Sequence, residues 1–132
     1  NYYARRDWGY AGDFVEGIWR MLQNNQPKDY VLATGEDHSV KEFATLAAKI
    51  MGFNLVWKGL KPNEYAIDKN TKKIIIKKNN QYYRPSDVSL LKGDAKKAKK
   101  NLGWKPKVKF KDLVKIMVES DKKRSLKGKI LQ

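Results

Sequence analysis

The residues best suited to binding chemistry lie in one short segment, residues 81–88, with the sequence Gln-Tyr-Tyr-Arg-Pro-Ser-Asp-Val. Pro85 fixes its own φ and keeps Arg84 out of the helical region, so the backbone here is stiff. The planar guanidinium group of Arg84 has N–H donors placed to bind a phosphate or carboxylate, and Asp87 can accept hydrogen bonds from sugar hydroxyls. Taken alone, however, the segment is better explained as a surface Arg-Asp pair beside two core tyrosines. A binding site here needs support from the rest of the chain.

A second group of arginines gives that support. Arg5 and Arg6 stand just before a predicted helix, whereas Arg84 follows a predicted strand hairpin. If the two loops open on the same side of the domain, Arg6 and Arg84 can clamp a diphosphate between them. Paired guanidinium groups are a common way to bind a flexible, doubly charged group.

Few other residues are suited to catalysis, metal binding or cofactor binding. The chain has no cysteine and one histidine, which argues against disulfides and against a zinc site. His38 lies between acidic residues and a helix-capping serine, and we interpret it as a loop residue that satisfies the helix entry rather than as a catalyst. No Gly-x-Gly-x-x-Gly motif follows a predicted strand, so the sequence predicts no dinucleotide-binding loop. The sequence therefore predicts no self-sufficient active site.

The formal net charge is +15, from 29 Lys and Arg against 14 Asp and Glu. Such a balance can indicate binding to nucleic acid or to an anionic membrane. Only five basic residues are arginine, and the lysines crowd into residues 69–78, 92–111 and 122–129. Because base-reading surfaces depend on arginine, this distribution favours a solvated lysine surface, with non-specific nucleic-acid affinity at low salt as the alternative.

Length and patterning predict one small domain. The chain of 132 residues has no apolar run long enough to span a membrane and no signal-peptide pattern, which predicts a cytoplasmic protein. It begins without a methionine on a polar and aromatic stretch, residues 1–8, which is typical of the interior of a longer protein. We therefore expect a piece of a larger polypeptide.

Apolar spacing predicts short strands and about four helices. One helix is predicted over 13–23 with Asp13 as N-cap, and a second over 39–51 with a capping box formed by Ser39 and Glu42. Further predicted elements are strands at 30–34, 54–58, 65–68 and 73–77, a short helix capped by Asp94 that ends near 101–103, and a helix over 110–121. The last two strands are expected to form a projecting hairpin. The predicted class is α/β, an α+β-like domain over 1–121, with 122–132 as a frayed basic tail.

The order of motifs resembles one family. Residues 6–10, Arg-Asp-Trp-Gly-Tyr, resemble an element shared by extended short-chain dehydrogenases/reductases. Residues 34–40, Thr-Gly-Glu-Asp-His-Ser-Val, and 82–85, Tyr-Tyr-Arg-Pro, are more specific to the GDP-mannose 4,6-dehydratase branch. The motifs at 93–98 and 102–106 follow in the same order, so that the resemblance spans about residues 4–121.

The resemblance implies the C-terminal, substrate-binding part of such an enzyme, without its Rossmann domain. The intact parent is expected to use NADP to convert GDP-mannose to GDP-4-keto-6-deoxymannose, and to be a homo-oligomer. Its cofactor loop and catalytic residues are expected in the absent domain, so this chain would contain no catalytic residue. By the same resemblance Arg6 and Arg84 meet the diphosphate and Asp87 meets the ribose. The branch usually has Glu where this chain has Asp87, one carbon shorter.

Three functions follow from these observations. The first is a fragment of the dehydratase that supplies the nucleotide-sugar side of the site and is inactive alone. The second is a stand-alone module that binds a GDP-sugar or anions in general, and the third, ranked last, is a basic nucleic-acid-binding domain. The first also predicts an exposed apolar patch, at residues such as Tyr2, Tyr3 and Trp8, where the absent domain would pack.

Overall fold

A computed structural model describes residues 1–61, 63–82 and 88–126 of the chain. Within these ranges the protein is a small α/β structure with four helices and two small sheets. The sequence predicted the α/β class and about four helices, but not the division of the strands into two sheets. The strands are β1 Arg5–Arg6, β2 His38–Ser39, β3 Leu55–Lys58, β4 Tyr65–Asp68, β5 Ile74–Lys77 and β6 Leu90–Leu91. The helices are α1 Ala11–Leu22, α2 Val40–Ile50, α3 Lys96–Leu102 and α4 Phe110–Leu126, and a 3-10 turn covers Asn80–Tyr82.

The limits of α2 follow directly from its end residues. The Ser39 hydroxyl accepts a hydrogen bond from the Glu42 amide at 3.0 Å, and the Glu42 carboxylate accepts one from the Ser39 amide at 2.9 Å. The predicted capping box is thereby confirmed, and it satisfies two amide groups that the helix itself leaves unpaired. At the other end Gly52 has a φ of +88°, in the left-handed region that glycine adopts at no steric cost, and the helix stops before it.

The predicted start of α1 is wrong. The helix begins at Ala11, with Tyr10 at the N-cap position and no side-chain cap, so Asp13 lies inside the first turn. The Asp13 carboxylate is buried and instead accepts hydrogen bonds from the amides of Lys107 and Val108, at 2.8 and 2.9 Å. Asp13 is therefore a tertiary anchor between α1 and the segment that leads into α4.

The two C-terminal helices also differ from their predicted limits. The Asp94 carboxylate accepts a hydrogen bond from the Lys96 amide at 2.9 Å, but the N-cap position of α3 belongs to Ala95. Helix α4 continues to Leu126, five residues beyond its predicted end and into the stretch expected to fray. Residues 127–132, the rest of the predicted tail, lie outside the described part of the chain.

The first sheet has the order β2-β1-β6. Strand β1 pairs antiparallel with β2, Arg5 opposite Ser39, and parallel with β6, Arg6 opposite Leu91. The predicted strand at 30–34 is wrong, because this apolar run is assigned to no strand. Each strand of the sheet has only two residues, which is too short to produce a readable alternation in the sequence.

The second sheet is an antiparallel meander of β3, β4 and β5. Its three strands were predicted, but β3 was not expected to extend the hairpin. Asp68 closes the turn after β4, because its buried carboxylate accepts hydrogen bonds from the Thr71 and Asn54 amides and from the Thr71 hydroxyl at 2.8–3.0 Å. These donors hold the pKa of the Asp68 carboxyl below its usual range.

The core is small and lies where the helices meet. Helix α1 packs on α3, and α2 packs on α4. Trp104, in the turn between α3 and α4, is only 1% exposed, and its indole donates to the Asp13 carbonyl at 2.7 Å. A Cβ added at Gly17 would lie 2.7 Å from Leu32 Cδ1 and 2.9 Å from the Trp104 indole nitrogen, so glycine permits the close approach of α1.

The capping box gives a direct stability prediction. Ser39→Ala removes the hydroxyl acceptor at the start of α2 and is expected to lower the free energy of unfolding by about 1 kcal/mol. Urea denaturation followed by circular dichroism measures this. Ser125→Ala, an exposed serine in the last turn of α4, is the control and is expected to change stability little. Equal effects of the two substitutions would contradict the capping role.

The Asp68 turn predicts a loss of stability in acid. A carboxyl whose pKa is depressed in the folded state contributes stability above its unfolded pKa, near pH 4, and this contribution is lost as pH falls through the folded pKa. Asp68→Asn is therefore expected to flatten the decline in unfolding free energy below about pH 4. Asp121→Asn, which removes an exposed acid 3.7 Å from Arg124, should leave the slope nearly unchanged.

Candidate functional site

Asp7 organises the loops around the first sheet. Its carboxylate accepts hydrogen bonds from the Thr34 amide at 2.8 Å, the Thr34 hydroxyl at 2.6 Å and the Gly35 amide at 2.9 Å. The amide of Gly93 adds a longer contact at 3.3 Å. One side chain after β1 thus fixes the loop at 34–35 and the segment after β6. No sequence pattern assigned a role to Asp7, although its position beside Arg6 in the family-like motif was the available signal.

The two arginines of β1 have different surroundings. Successive side chains of a strand point to opposite faces, so Arg5 and Arg6 diverge. The Arg5 guanidinium forms an ion pair with Asp37, donates to the Asp37 carbonyl at 2.8 Å and lies 3.5 Å from Glu42. Its hydrogen bond to Asp37 raises the pKa of Arg5 and holds the pKa of the Asp37 carboxyl below its usual range. Arg5 therefore has a structural role.

Arg6, the predicted diphosphate ligand, lies partly exposed on the other side of β1. Its Nη1 donates to the Arg5 carbonyl at 2.8 Å. The other two predicted ligands, Arg84 and Asp87, lie in residues 83–87, outside the described part of the chain. The geometry of the proposed clamp thus rests on Arg6 and on the segments that flank residues 83–87.

His38 contributes to packing in the first sheet. Its ring stacks on Phe110 with centroids 3.8 Å apart, and its Nδ1 lies 3.2 Å from the Glu42 carboxylate. Its carbonyl accepts a hydrogen bond from the Trp8 indole at 2.9 Å, and the Trp8 ring stacks on Phe43. These contacts agree with a residue that supports the entry to α2.

The aromatic side chains expected to form an exposed patch pack against, or form hydrogen bonds with, other side chains of this chain. Tyr2 packs edge-on against Trp57, and Tyr3 bonds to Glu64, which also accepts from Lys41 at 3.0 Å. Trp8 is held by the contacts above. Tyr3 is 39% exposed, as expected, whereas Tyr2 and Trp8 are half-buried, so the expectation is wrong for these two side chains. A larger exposed apolar stripe lies on α1 and consists of Val15, Ile18, Trp19 and Leu22.

A basic cleft of about 650 Å³ opens between the 33–35 loop, the start of α3 and the segment before α4. Among the residues that the structure describes, five lysines line it, Lys92, Lys96, Lys99, Lys105 and Lys109, together with one acidic residue, Asp94. Three of them have acidic neighbours: Lys92 lies 3.8 Å from Asp37, Lys96 3.3 Å from Asp94 and Lys109 3.2 Å from Glu36. The cleft is a second place where an anion can bind.

In the described ranges, no three His, Asp or Glu side chains are grouped so that they could hold a metal ion. Across the same ranges, no helix is both long and apolar enough to cross a membrane.

The Asp7 contacts predict a measurable loss of stability. Asp7→Asn replaces one carboxylate oxygen with an amide donor and is expected to lower the free energy of unfolding by about 2 kcal/mol, because charged acceptors form strong hydrogen bonds. Thermal unfolding measures this, with Asp29→Asn, an exposed loop acid, as control. An Asp7→Asn variant as stable as the control would contradict the role given to Asp7.

Comparison with known proteins places these features in a family. The family model for GDP-mannose 4,6 dehydratase matches residues 1–117. The GDP-mannose 4,6 dehydratase of Homo sapiens is 48% identical over 118 residues, which are 89% of this chain and 32% of the human protein. The chain therefore spans about a third of the length of the curated relatives it matches.

Solved structures show the same fold. The UDP-glucose 4-epimerase of Thermotoga maritima, solved with UDP-glucose, superposes with a TM-score of 0.71 at 24% identity, covering 95% of this chain and 34% of that one. The Bordetella bronchiseptica enzyme WbmF, solved in complex with NADH, gives 0.65 at 22% identity, covering 95% and 31%. The family match over nearly the whole chain and this shared fold lead to one conclusion: the chain belongs to the GDP-mannose 4,6-dehydratase family.

Proposed function

We propose that this chain is the part of a GDP-mannose 4,6-dehydratase that binds the nucleotide-sugar. In this proposal Arg6 and Arg84 hold the diphosphate, and Asp87 accepts hydrogen bonds from the ribose hydroxyls. The observation that carries it is the parallel pairing of β1 with β6, Arg6 opposite Leu91. This pairing joins the Arg6 segment to β6, which begins three residues after residue 87.

Chain connectivity limits how far the three groups can be from one another. Asp87 is three residues before Leu90, and Arg84 is six, so chain length alone limits the Cα distances from Leu90 to about 11 Å and about 22 Å. Strands β1 and β6 are neighbours, and adjacent strands lie about 4.8 Å apart. These limits are compatible with a diphosphate that contacts Arg6 and Arg84 together.

The surroundings of β1 support Arg6 rather than Arg5 as the ligand. Asp37 and Glu42 both engage Arg5, and a phosphate there would meet two carboxylates. Arg6 points to the opposite face of the strand, away from these acids. The Asp7 contacts fix the backbone next to Arg6, which reduces the conformational cost of presenting its guanidinium to an anion.

Membership in the family supports a proposal for the reaction of the parent enzyme. The intact enzyme would use NADP to oxidise the mannose C4, lose water across C5 and C6, and return the hydride at C6. The cofactor and catalytic residues would belong to a Rossmann domain outside this chain, and the parent would assemble as a homo-oligomer. The chain alone would then bind GDP-mannose without converting it.

The lysine-lined cleft supports a second candidate, a general anion-binding or nucleic-acid-binding domain. The cleft concentrates positive charge around Thr34, Gly35 and Gly93 without an exposed aromatic platform, because Trp104 is buried. Such a cleft would bind phosphates through charge alone, with little preference for the nucleoside and a steep loss of affinity with salt.

The proposal predicts selective diphosphate binding. Calorimetry of this chain at moderate salt is expected to show saturable binding of GDP in preference to GMP, because only GDP presents a second phosphate to the clamp. Arg84→Ala is expected to weaken GDP binding at least tenfold, the order of effect for one charge-assisted pair. Lys99→Ala in the cleft is the matched control and should leave GDP affinity unchanged.

The opposite pattern supports the alternative. If GDP and GMP bind equally, and if Lys99→Ala weakens them while Arg84→Ala does not, the anion site is the cleft. The roles given to Arg6, Arg84 and Asp87 in binding by this chain would then be wrong.

A further inference from the structure

The lysine-lined cleft has the size of a separate ligand site. Its volume of about 650 Å³ falls within the range of about 300 to 1,000 Å³ that small-molecule sites occupy. Among the described residues, its lining does not include Arg6, the arginine assigned to the diphosphate. A ligand in the cleft therefore need not occupy the place proposed for the nucleotide-sugar.

Two aspartates hold the walls of the cleft in place. Asp7 joins the 33–35 loop to the segment after β6, because it accepts hydrogen bonds from both. Asp13 fixes the third wall, because the Trp104 indole donates to its carbonyl at 2.7 Å and the Lys107 amide donates to its carboxylate at 2.8 Å. The shape of the cleft is thus formed before a ligand arrives, which lowers the conformational cost of binding.

Small residues leave room between these walls. Ala33, Gly35, Gly93 and Ala95 contribute to the lining, and a Cβ added at Gly35 would meet no other part of the chain within 4 Å. Trp104 is 1% exposed, so it offers almost no aromatic surface to a ligand. The long, exposed side chains of the described lining are lysines, which favours recognition by charge over recognition by apolar contact.

The charges of the lining suit a chain of phosphates. Among the described residues, five lysines and one aspartate give a net charge of +4. Lys99 and Lys105 form no ion pair with any described residue, whereas the other three lysines each lie within 4 Å of a carboxylate. An ammonium group is a compact charge with three rotatable donors, so several of them together suit a flexible anion that carries many charges.

We propose that the cleft binds a chain of three phosphates, either inorganic triphosphate or the triphosphate group of a nucleotide, and that the phosphates alone are recognised. The site is additional to the one proposed for the nucleotide-sugar, and it does not depend on the roles of Arg84 and Asp87. GDP has one phosphate fewer. Because guanidinium groups bind a phosphate through two parallel hydrogen bonds, GDP is expected to occupy the arginine clamp first.

Carboxylates beside the lysines favour a short anion over a strand of nucleic acid. Glu36, Asp37 and Asp94 lie 3.2 to 3.8 Å from lysines of the cleft. A strand that continued beyond the cleft would have to pass these acidic groups, and its bases would find no exposed aromatic ring in the described lining on which to stack. A chain of three phosphates is short enough to avoid both difficulties.

Calorimetry with inorganic triphosphate at moderate salt tests the site. The titration uses the Arg84→Ala chain, in which the clamp lacks one arginine, and saturable binding of one triphosphate per chain is expected. Lys99→Gln combined with Lys105→Gln is expected to weaken this binding by about tenfold or more, because both lysines are unpaired and available to the anion.

The matched control is Lys100→Gln combined with Lys111→Gln. These two lysines are exposed and lie outside the described lining of the cleft, and their replacement removes the same charge. The control is expected to change the triphosphate affinity by less than about twofold, since salt screens charges that do not contact the ligand. Equal weakening by the two double variants would overturn the proposal, and so would the absence of saturable triphosphate binding.

Nucleotides distinguish the source of the phosphate chain. Equal affinity for ATP, GTP and inorganic triphosphate would assign the site to a phosphate chain from either source, and tighter binding of inorganic triphosphate would assign it to the free anion. Binding of ATP or GTP about tenfold tighter than inorganic triphosphate would show recognition of the nucleoside and overturn the proposal. An oligothymidylate that binds more tightly than triphosphate, with the same dependence on Lys99 and Lys105, would assign the cleft to nucleic acid instead.

The outcome for the cleft is separate from the outcome for the diphosphate site. Triphosphate binding that persists in the Arg84→Ala chain, together with loss of GDP binding in the same variant, would support both sites. Loss of triphosphate binding with Arg84→Ala, and no effect of Lys99→Gln with Lys105→Gln in the chain that retains Arg84, would place triphosphate at the clamp and reject the site in the cleft.

Discussion

The arrangement around β1 depends on the hydrogen bonds that the Asp7 carboxylate accepts. Backbone pairing by a strand of two residues is too short to fix the two segments beside it. Asp7 does so by joining Thr34 and Gly35 on one side and Gly93 on the other. Because these amides converge on one charged group, the loop before α2 and the segment after β6 have fixed positions relative to Arg6. The positions of the groups around any ligand bound by Arg6 therefore depend on the Asp7 carboxylate.

Short sequence patterns were sufficient to predict a helix end where one or two residues determine it. The Ser39 and Glu42 pair fixed the start of α2, and Gly52 its end. The predicted capping role of Asp13 was wrong. Its carboxylate instead accepts hydrogen bonds from the amides of Lys107 and Val108, which lie 94 and 95 positions later in the chain. No short-range pattern reports such a distant partner.

The direction of the α1 stripe and the state of residues 30–34 could not be predicted for a related reason. Periodicity shows which side chains share a face, but it does not show whether that face meets this chain or another body. Residues 30–34 have the composition of a buried strand, but strands need neighbours, and none of the described strands pairs with them. For the candidate site, the motifs indicated Arg6 and Arg84 but not the distinct role of Arg5. The assignments of Arg84 and Asp87 stay predictions.

We propose that the nucleotide-sugar diphosphate binds beside β1 and β6 rather than in the lysine-lined cleft. A nitrogen-15 NMR titration of this chain with GDP distinguishes the two places, because each backbone amide reports its own surroundings. Binding beside β1 and β6 predicts that the largest shift changes occur at Arg6, at Leu91 and in residues 82–88. Changes confined to Gly35, Gly93 and Lys99 would place the anion in the cleft and would rule out a diphosphate site at Arg6.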